Sequence, residues 1–190
     1  AATLQQIQQL AAAGCEVVRV AVVNHDAARC LPEIVKHSPI PVVADIHFDH
    51  RLALAALEAG VHKMRLNPGN IGSKQKVREV VRAAQERKVP IRIGVNSGSI
   101  AKPVLERLGR TAEAMVESAL EHISILEELG FEDIVVSLKA TDIQMTVTAY
   151  ELLSEKVDYP LHLGITEAGT TWFGTIKSAR GLGALLSRGL

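Results

Sequence analysis

Short apolar runs alternate with amphipathic stretches along the 190-residue chain, and this alternation limits the possible folds more than any other feature. Glycine, proline or asparagine usually separates one from the next, as is common at the ends of strands and helices. The six strand candidates are Glu16–Val22, Pro41–Phe48, His62–Asn67, Pro90–Asn96, Asp133–Lys139 and Leu161–Thr166. Strands that alternate with helices in this way predict a parallel sheet.

Helical periodicity fills the segments between the strand candidates. These segments include Ser73–Lys88, Thr111–Leu129 and Ile143–Lys156, and Gly14, Gly60 and Gly130 take the C′ position after apolar helical runs. We therefore predict an α/β fold of the TIM (β/α)8 type. Helical patterns at both chain ends suggest a piece of a longer protein, an incomplete barrel whose first and last strands are missing from this chain. An open doubly wound sheet is the alternative. The longest predicted loop, Ser97–Gly109, is long enough to be functional.

The composition argues against several classes of partner. Lys and Arg together number 21, Asp and Glu also number 21, and aromatic residues make up only 3% of the chain. Such a balance does not favour nucleic acid or an anionic membrane. No apolar run is long enough to span a bilayer, and Cys15 and Cys30 are too few for a disulfide framework or a four-cysteine metal site. We expect a cytoplasmic setting.

Polar residues occupy one face of several strand candidates. Because side chains alternate between the two faces of a strand, Ile91 and Ile93 in the fourth candidate oppose Arg92 and Asn96. Both faces of a parallel strand in such a fold are buried, and the apolar face packs against helices. The same alternation assigns Arg19, Asp45, His47, Arg65, Asn67, Ser137 and Lys139 to the other face. In barrels of this type the active site lies at the C-terminal ends of the strands.

Four of the residues on this face are cations, namely Arg19, Arg65, Arg92 and Lys139. Each could be a single strand residue that reaches solvent, but four at matched positions favour a common role. Buried charges are costly without counter-charges, and Asp45 and Glu167 are too few to neutralise four cations. Because arginine matches phosphate oxygens well, the pattern predicts a ligand with more than one phosphate group, or a diphosphate.

Three loops that follow strand candidates carry further possible chemistry. In residues 68–72, Gly69 and Gly72 would let the backbone approach an anion. In the segment DIHFDH, ligand binding by Asp45 and His47 is favoured over a metal site, and Asp49 is a natural helix N-cap. Glu167 lies just beyond the last strand candidate, where it either begins a helix or acts as a general acid. Ordinary helix-surface positions are expected for His25, His37 and His122.

The chain closely resembles the 4-hydroxy-3-methylbut-2-en-1-yl diphosphate synthases in six ordered segments, which read GCEVVRVAV, VVADIHF, MRLNPGNIG, IRIGVNSGS, VVSLKAT and LHLGITEAG. These enzymes are iron–sulfur oxidoreductases of non-mevalonate isoprenoid biosynthesis, and the resemblance covers the whole chain. It implies a barrel that binds 2-C-methyl-D-erythritol 2,4-cyclodiphosphate. The product would be 4-hydroxy-3-methylbut-2-enyl diphosphate, formed by two-electron reductive ring opening.

The resemblance also implies roles for individual residues. Arg19, Arg65, Arg92 and Lys139 would hold the diphosphate, Asn67, Asn96 and Ser137 would assist, Asp45 and His47 would line the pocket, and Glu167 would act as an acid or proton relay.

The family also has a C-terminal domain that binds a [4Fe–4S] cluster through three cysteines and a glutamate, and no segment of this chain resembles that domain. We therefore expect residues 1–190 to form a partial barrel without metal ligands, structural roles for Cys15 and Cys30, and no activity of this chain alone. The resemblance further implies a homodimer whose active site is completed between subunits. The expected electron donor is ferredoxin or flavodoxin.

Two other functions fit the same residues. A different phosphate-binding barrel, such as a pterin-binding transferase or an aldolase, could use the same cations, and Lys139 could then form a Schiff base. A non-catalytic barrel module that binds a partner protein is the third possibility.

Overall fold

The computed structural model describes residues 2–190 and has an α/β architecture. The strands are β1 (Val18–Ala21), β2 (Val42–Asp45), β3 (Lys63–Arg65), β4 (Ile91–Asn96) and β5 (Ile134–Lys139). The helices are α1 (Ala2–Ala12), α2 (His25–His37), α3 (His50–Glu58), α4 (Lys74–Glu86), α5 (Lys102–Leu108), α6 (Ala112–Glu127), α7 (Ile143–Ser154) and α8 (Thr171–Leu186). Judged by length and hydropathy, no helix within residues 2–190 could cross a bilayer.

The chain divides into two compact units. The first contains the chain up to Arg92 together with Leu126–Asp133, and the second contains Ile93–Ile125 and Ile134–Leu190. In the first unit the strands follow the order β1-β2-β3-β4, and neighbouring strands pair in parallel. In the second unit the remainder of β4 lies beside β5. Five of the six strand candidates are therefore confirmed.

The first unit is held together by apolar strand residues that pack against helices. The strand β2 is buried along its whole length, and Ile7, Val18, Ile34 and Val42 form one apolar cluster. Asn24 is the N-cap of α2, and its side chain accepts a hydrogen bond from the Ala27 backbone amide at 2.9 Å. The three predicted C′ glycines, at positions 14, 60 and 130, have the positive φ that this position favours.

The second unit corrects the prediction of one long loop over Ser97–Gly109. Residues 102–108 of that segment form α5, with a proline in its first turn. Proline is tolerated there, since the first amide groups of a helix have no partner within the helix. Val104 of the short helix is 2% exposed, so burial of this side chain stabilises a segment that looked like a loop.

The sixth strand candidate, Leu161–Thr166, is not a strand. Leu161 alone forms a bridge, with Val136 of β5, and the His162 amide donates to the Val136 carbonyl at 2.8 Å. Beyond this point two hydroxyl groups of α7 bind the amides of the β5 end: Leu138 donates to the Tyr150 hydroxyl and Ala140 to Thr146 Oγ1, both at 3.1 Å. Because these amides are already bound, a regular ladder does not continue.

Candidate functional site

Asp45, at the end of β2, forms ion pairs with arginines of both neighbouring strands. Its Oδ2 lies 2.9 Å from Nη1 of Arg19, and its Oδ1 accepts a hydrogen bond from Nη1 of Arg65 at 3.1 Å. The strand register brings Asp45 opposite Arg65 on β3 and opposite Ala21 on β1. One carboxylate therefore orients two of the guanidinium groups that the sequence assigned to the same face.

Arg92 of β4 lies at the same level of the sheet, because its register partner on β3 is Arg65. Arg92 is 5% exposed, Arg65 9% and Asp45 4%, whereas the side chain of Arg19 is 56% exposed. We call Arg19, Asp45, Arg65 and Arg92 the arginine cluster. Three guanidinium groups and one carboxylate give the cluster an excess of positive charge, which suits a ligand with several anionic oxygens.

His47 and Asn67 flank the arginine cluster in the first unit. His47 is exposed, with Nε2 3.6 Å from Asp45 Oδ1, and its ring lies 6.0 Å from that of Phe48. Asn67 is buried and directly precedes the 3₁₀ turn Pro68–Asn70. Among residues 2–190, no group of three or more His, Cys, Asp or Glu side chains is arranged to hold a metal ion.

Asp49 is the N-cap of α3, as the sequence predicts. Its side chain accepts a hydrogen bond from the Arg51 backbone amide at 3.0 Å. The pKa of Asp49 is lowered to about 2, chiefly by hydrogen bonds from the Arg51 side chain and amide. Asp49 therefore stays ionised at neutral pH, and its role is local to the start of the helix.

In the second unit, Lys139 and Ser137 lie at the end of β5. Lys139 is half-buried, and its carbonyl accepts a hydrogen bond from the Ser97 amide at 3.0 Å. The Ser137 hydroxyl is buried and donates to the Ile93 carbonyl at 3.4 Å, a contact that links β5 to β4. Asn96 is the last residue of β4, and its backbone N–H donates to Ser99 Oγ at 3.0 Å in the turn that follows.

Glu167 lies in the loop before α8 and is exposed. Its φ is 49°, in the left-handed region that non-glycine residues rarely adopt. Its Oε2 accepts a long hydrogen bond from Thr141 Oγ1 at 3.5 Å. Strained backbone of this kind concentrates at functional sites. The strain could not be read from the sequence, and it adds a local observation in favour of Glu167.

Comparison with known proteins identifies the family. A family model described as the GcpE TIM-barrel domain matches residues 1–190. The chain belongs to this family. A dihydropteroate synthase from Yersinia pestis has a similar fold, with a TM-score of 0.65 at 12% identity over 98% of this chain and 78% of that chain. At this identity the likeness concerns the fold alone, and it agrees with a GcpE-type barrel.

Two curated relatives of this GcpE domain carry the same name, 4-hydroxy-3-methylbut-2-en-1-yl diphosphate synthase (flavodoxin). The protein from Geobacter sulfurreducens is 63% identical over 190 residues, which are 100% of this chain and 54% of that protein. The protein from Geobacillus thermodenitrificans is 62% identical, again over 100% of this chain, and 51% of its length is covered. The chain thus spans about half the length of these relatives.

Two polar residues inside the GcpE domain were missed by the sequence analysis. His122 of α6 was expected at the surface but is 7% exposed, and its Nδ1 has no hydrogen-bond partner. Burial lowers the pKa of His122 below its usual value. Tyr150 of α7 is fully buried, and its hydroxyl donates to the His162 carbonyl at 2.5 Å. Apolar neighbours on the same helix face could have indicated that each residue is buried. No sequence signal indicated which backbone groups the Tyr150 hydroxyl binds.

Proposed function

We propose that this chain is the substrate-binding barrel domain of a 4-hydroxy-3-methylbut-2-en-1-yl diphosphate synthase. The names of the two relatives support this activity. The observation that carries the proposal is the arginine cluster, in which Asp45, Arg65 and Arg92 lie at one level on three consecutive strands. The proposed substrate is 2-C-methyl-D-erythritol 2,4-cyclodiphosphate, whose two phosphate groups match a cluster rich in guanidinium groups.

Within the arginine cluster, Asp45 would act on the substrate indirectly. It holds the guanidinium groups of Arg19 and Arg65 by contacts of 2.9 and 3.1 Å. Because these side chains are already oriented, less conformational freedom is lost when phosphate oxygens bind them. Arg92 would bind the diphosphate from the next strand, and Asn67 and His47 would contact the same substrate. We propose that Lys139, Asn96 and Ser137 also serve substrate binding.

Glu167 is the proposed acid or proton relay. Reductive opening of the ring removes a substrate hydroxyl as water, and this step requires a proton. Arginine does not give up its proton under these conditions, whereas a carboxylic acid can transfer one. Glu167 is exposed in a strained loop, while Asp45 is buried between two arginines. Glu167 is therefore better placed than Asp45 to exchange protons with solvent or substrate.

The [4Fe–4S] cluster implied by the family does not fit the described residues. Cys15 donates a hydrogen bond through its thiol to the Val17 carbonyl at 3.2 Å, and Cys30 is exposed on α2. No third cysteine is present in the sequence. We propose that a C-terminal domain in the rest of the synthase binds the cluster, that flavodoxin or ferredoxin supplies the electrons, and that the whole enzyme is a cytoplasmic homodimer.

The test of the proposed function is calorimetric titration of the full-length protein with the cyclodiphosphate. Arg92→Ala should weaken binding by about 1.5–3 kcal/mol, the range for a hydrogen bond to a charged group. Arg82→Ala is the matched control, because Arg82 lies on α4 with its side chain 81% exposed and pairs with Glu86 at 3.4 Å. Unchanged affinity in a well-folded Arg92→Ala variant would remove Arg92 from the site. Absence of cyclodiphosphate binding by the unmodified protein would refute the proposed function.

A further inference from the structure

Gly164 lies opposite Lys139 within the second unit. The bridge between Val136 and Leu161 sets the parallel register. The two segments keep this register beyond the interruption, since the His162 amide donates to the Val136 carbonyl and the Thr166 amide to the Ala140 carbonyl with the same offset. Lys139 of β5 therefore lies beside Gly164. Side chains at opposed positions of parallel segments point to the same face, so a side chain at residue 164 would point to the face that carries Lys139.

The Lys139 side chain occupies the space that a side chain at residue 164 would need. A Cβ atom built on Gly164 would lie 2.8 Å from Nζ, 2.9 Å from Cε and 3.4 Å from Cδ of Lys139. Favourable contacts between heavy atoms of this kind lie at about 3.5–4.0 Å. The end of the lysine therefore crosses directly over the glycine, and any other residue at this position would displace it.

The backbone itself does not require glycine at residue 164. Its φ lies outside the left-handed region, in contrast to Gly169, where φ is 98°. Alanine therefore fits the backbone conformation at this position, and the requirement for glycine concerns space alone.

The segment around Gly164 is anchored on both sides, so it cannot easily move away from the lysine. The Tyr150 hydroxyl donates to the His162 carbonyl at 2.5 Å, and the Thr166 amide donates to the Ala140 carbonyl at 3.3 Å. The Lys139 ammonium, by contrast, is carried on a flexible chain of four methylene groups. An added methyl group would therefore move the ammonium rather than the backbone.

We propose that Gly164 is a positioning residue that determines where the Lys139 ammonium lies, and through it the affinity for the diphosphate of the substrate. The inference rests on the proposed function, because it assumes that Lys139 binds the diphosphate. It adds that Gly164, the first of the two glycines in the segment LHLGITEAG, is needed because it leaves space for the Lys139 side chain.

The test is a double-mutant cycle in the full-length protein, with the dissociation constant for the cyclodiphosphate as the readout. Lys139→Ala and Gly164→Ala should each weaken binding by about tenfold or more, as expected when a charge-assisted contact is lost. Gly164→Ala should have no further effect in the Lys139→Ala background, because the group it displaces is gone. Gly183→Ala is the control, since a Cβ at this position of α8 meets no atom within 4 Å.

Each failure has a separate meaning. If Lys139→Ala weakens binding but Gly164→Ala does not, the positioning role is wrong and the proposed function stands. If Gly164→Ala weakens binding equally in both backgrounds, it acts without Lys139 and the inference is overturned. Unchanged affinity of Lys139→Ala would remove Lys139 from the proposed site and the inference with it. If Gly164→Ala instead lowers the melting temperature, Lys139→Ala should restore it, and a lack of restoration would also overturn the inference.

Discussion

The carboxylate of Asp45 and the guanidinium of Arg65 are hydrogen-bonded at 3.1 Å between adjacent strands, and both residues are almost completely buried. The same carboxylate also contacts Arg19 at 2.9 Å. A buried ion pair contributes little net stability when both partners are considered, because each charge loses water. Removing only one of the two charges is costly, since the remaining charge stays buried without its partner.

Asp45→Asn should therefore destabilise the protein by about 3 kcal/mol or more, the lower end of the range for breaking a buried pair from one side. Asparagine has nearly the same shape, so the loss reports the charge and not the packing. The measurement is the urea unfolding midpoint of the full-length protein. Asp49→Asn is the control, because asparagine also caps helices and the Asp49–Arg51 pair is at the surface; its effect should stay within about 1 kcal/mol. Equal effects of the two substitutions would contradict the central position of Asp45.

The alternation of side chains between the two faces of a strand explains how much of the arginine cluster could be predicted from the sequence. Arg65 and Arg92 were assigned to one face from alternation alone, and the register brings them opposite each other. The ion pairs to Asp45 could not be predicted, because they depend on which strands are neighbours and on their register. The failures at Leu161–Thr166 and Ser97–Gly109 have a similar origin. Hydroxyls of α7, the helix that follows β5, bind the amides at the end of β5, and one buried valine stabilises a short helix.

Tyr150 provides a test of the interrupted ladder. Its hydroxyl accepts from the Leu138 amide at 3.1 Å and donates to the His162 carbonyl at 2.5 Å, so it joins β5 to the segment that follows α7. Tyr150→Phe keeps the ring but leaves both backbone groups without this partner. We expect a loss of about 1–3 kcal/mol in the free energy of unfolding, measured by urea denaturation.

The control for Tyr150→Phe is Ser124→Ala, which removes an exposed hydroxyl that donates only within α6, to the Glu121 carbonyl at 3.0 Å. Exposed substitutions of this kind usually change stability by less than about 0.5 kcal/mol. A Tyr150→Phe variant as stable as Ser124→Ala would show that the hydroxyl bridge has no energetic role.

His122 makes the stability of the protein depend on pH. Burial lowers its pKa in the folded state below the value near 6.5 of the unfolded chain. Below that pH the unfolded state binds more protons, so stability falls as the pH decreases from about 7 towards 5, by at most about 1.4 kcal/mol per pH unit. Above about pH 7 both states are neutral and the dependence ends. The measurement is the melting temperature between pH 5 and pH 8.

His122→Leu should reduce this dependence, because the substituted side chain cannot bind a proton and leaves no buried nitrogen without a partner. His37→Gln is the control, since His37 lies on the surface of α2 with its side chain 47% exposed. A His122→Leu variant whose melting temperature follows pH as the unmodified protein does would assign the dependence to other groups.

Glu167→Gln tests the proposed proton transfer in the complete enzyme. Glutamine retains the size of the side chain and an oxygen that can accept the hydrogen bond from Thr141, and it meets the same constraint at a φ of 49°. The substitution therefore isolates the acidic proton. Turnover with a reduced electron donor should fall by about 10²–10⁴, the usual range for a lost general acid, while affinity for the cyclodiphosphate is retained. Glu155→Gln, an exposed glutamate just after α7, is the control and should turn over normally. If Glu167→Gln stays within a few-fold of the unmodified enzyme, the proposed assignment is wrong. A folded Asp45→Asn variant that is inactive but binds the cyclodiphosphate normally would then make Asp45 the acid.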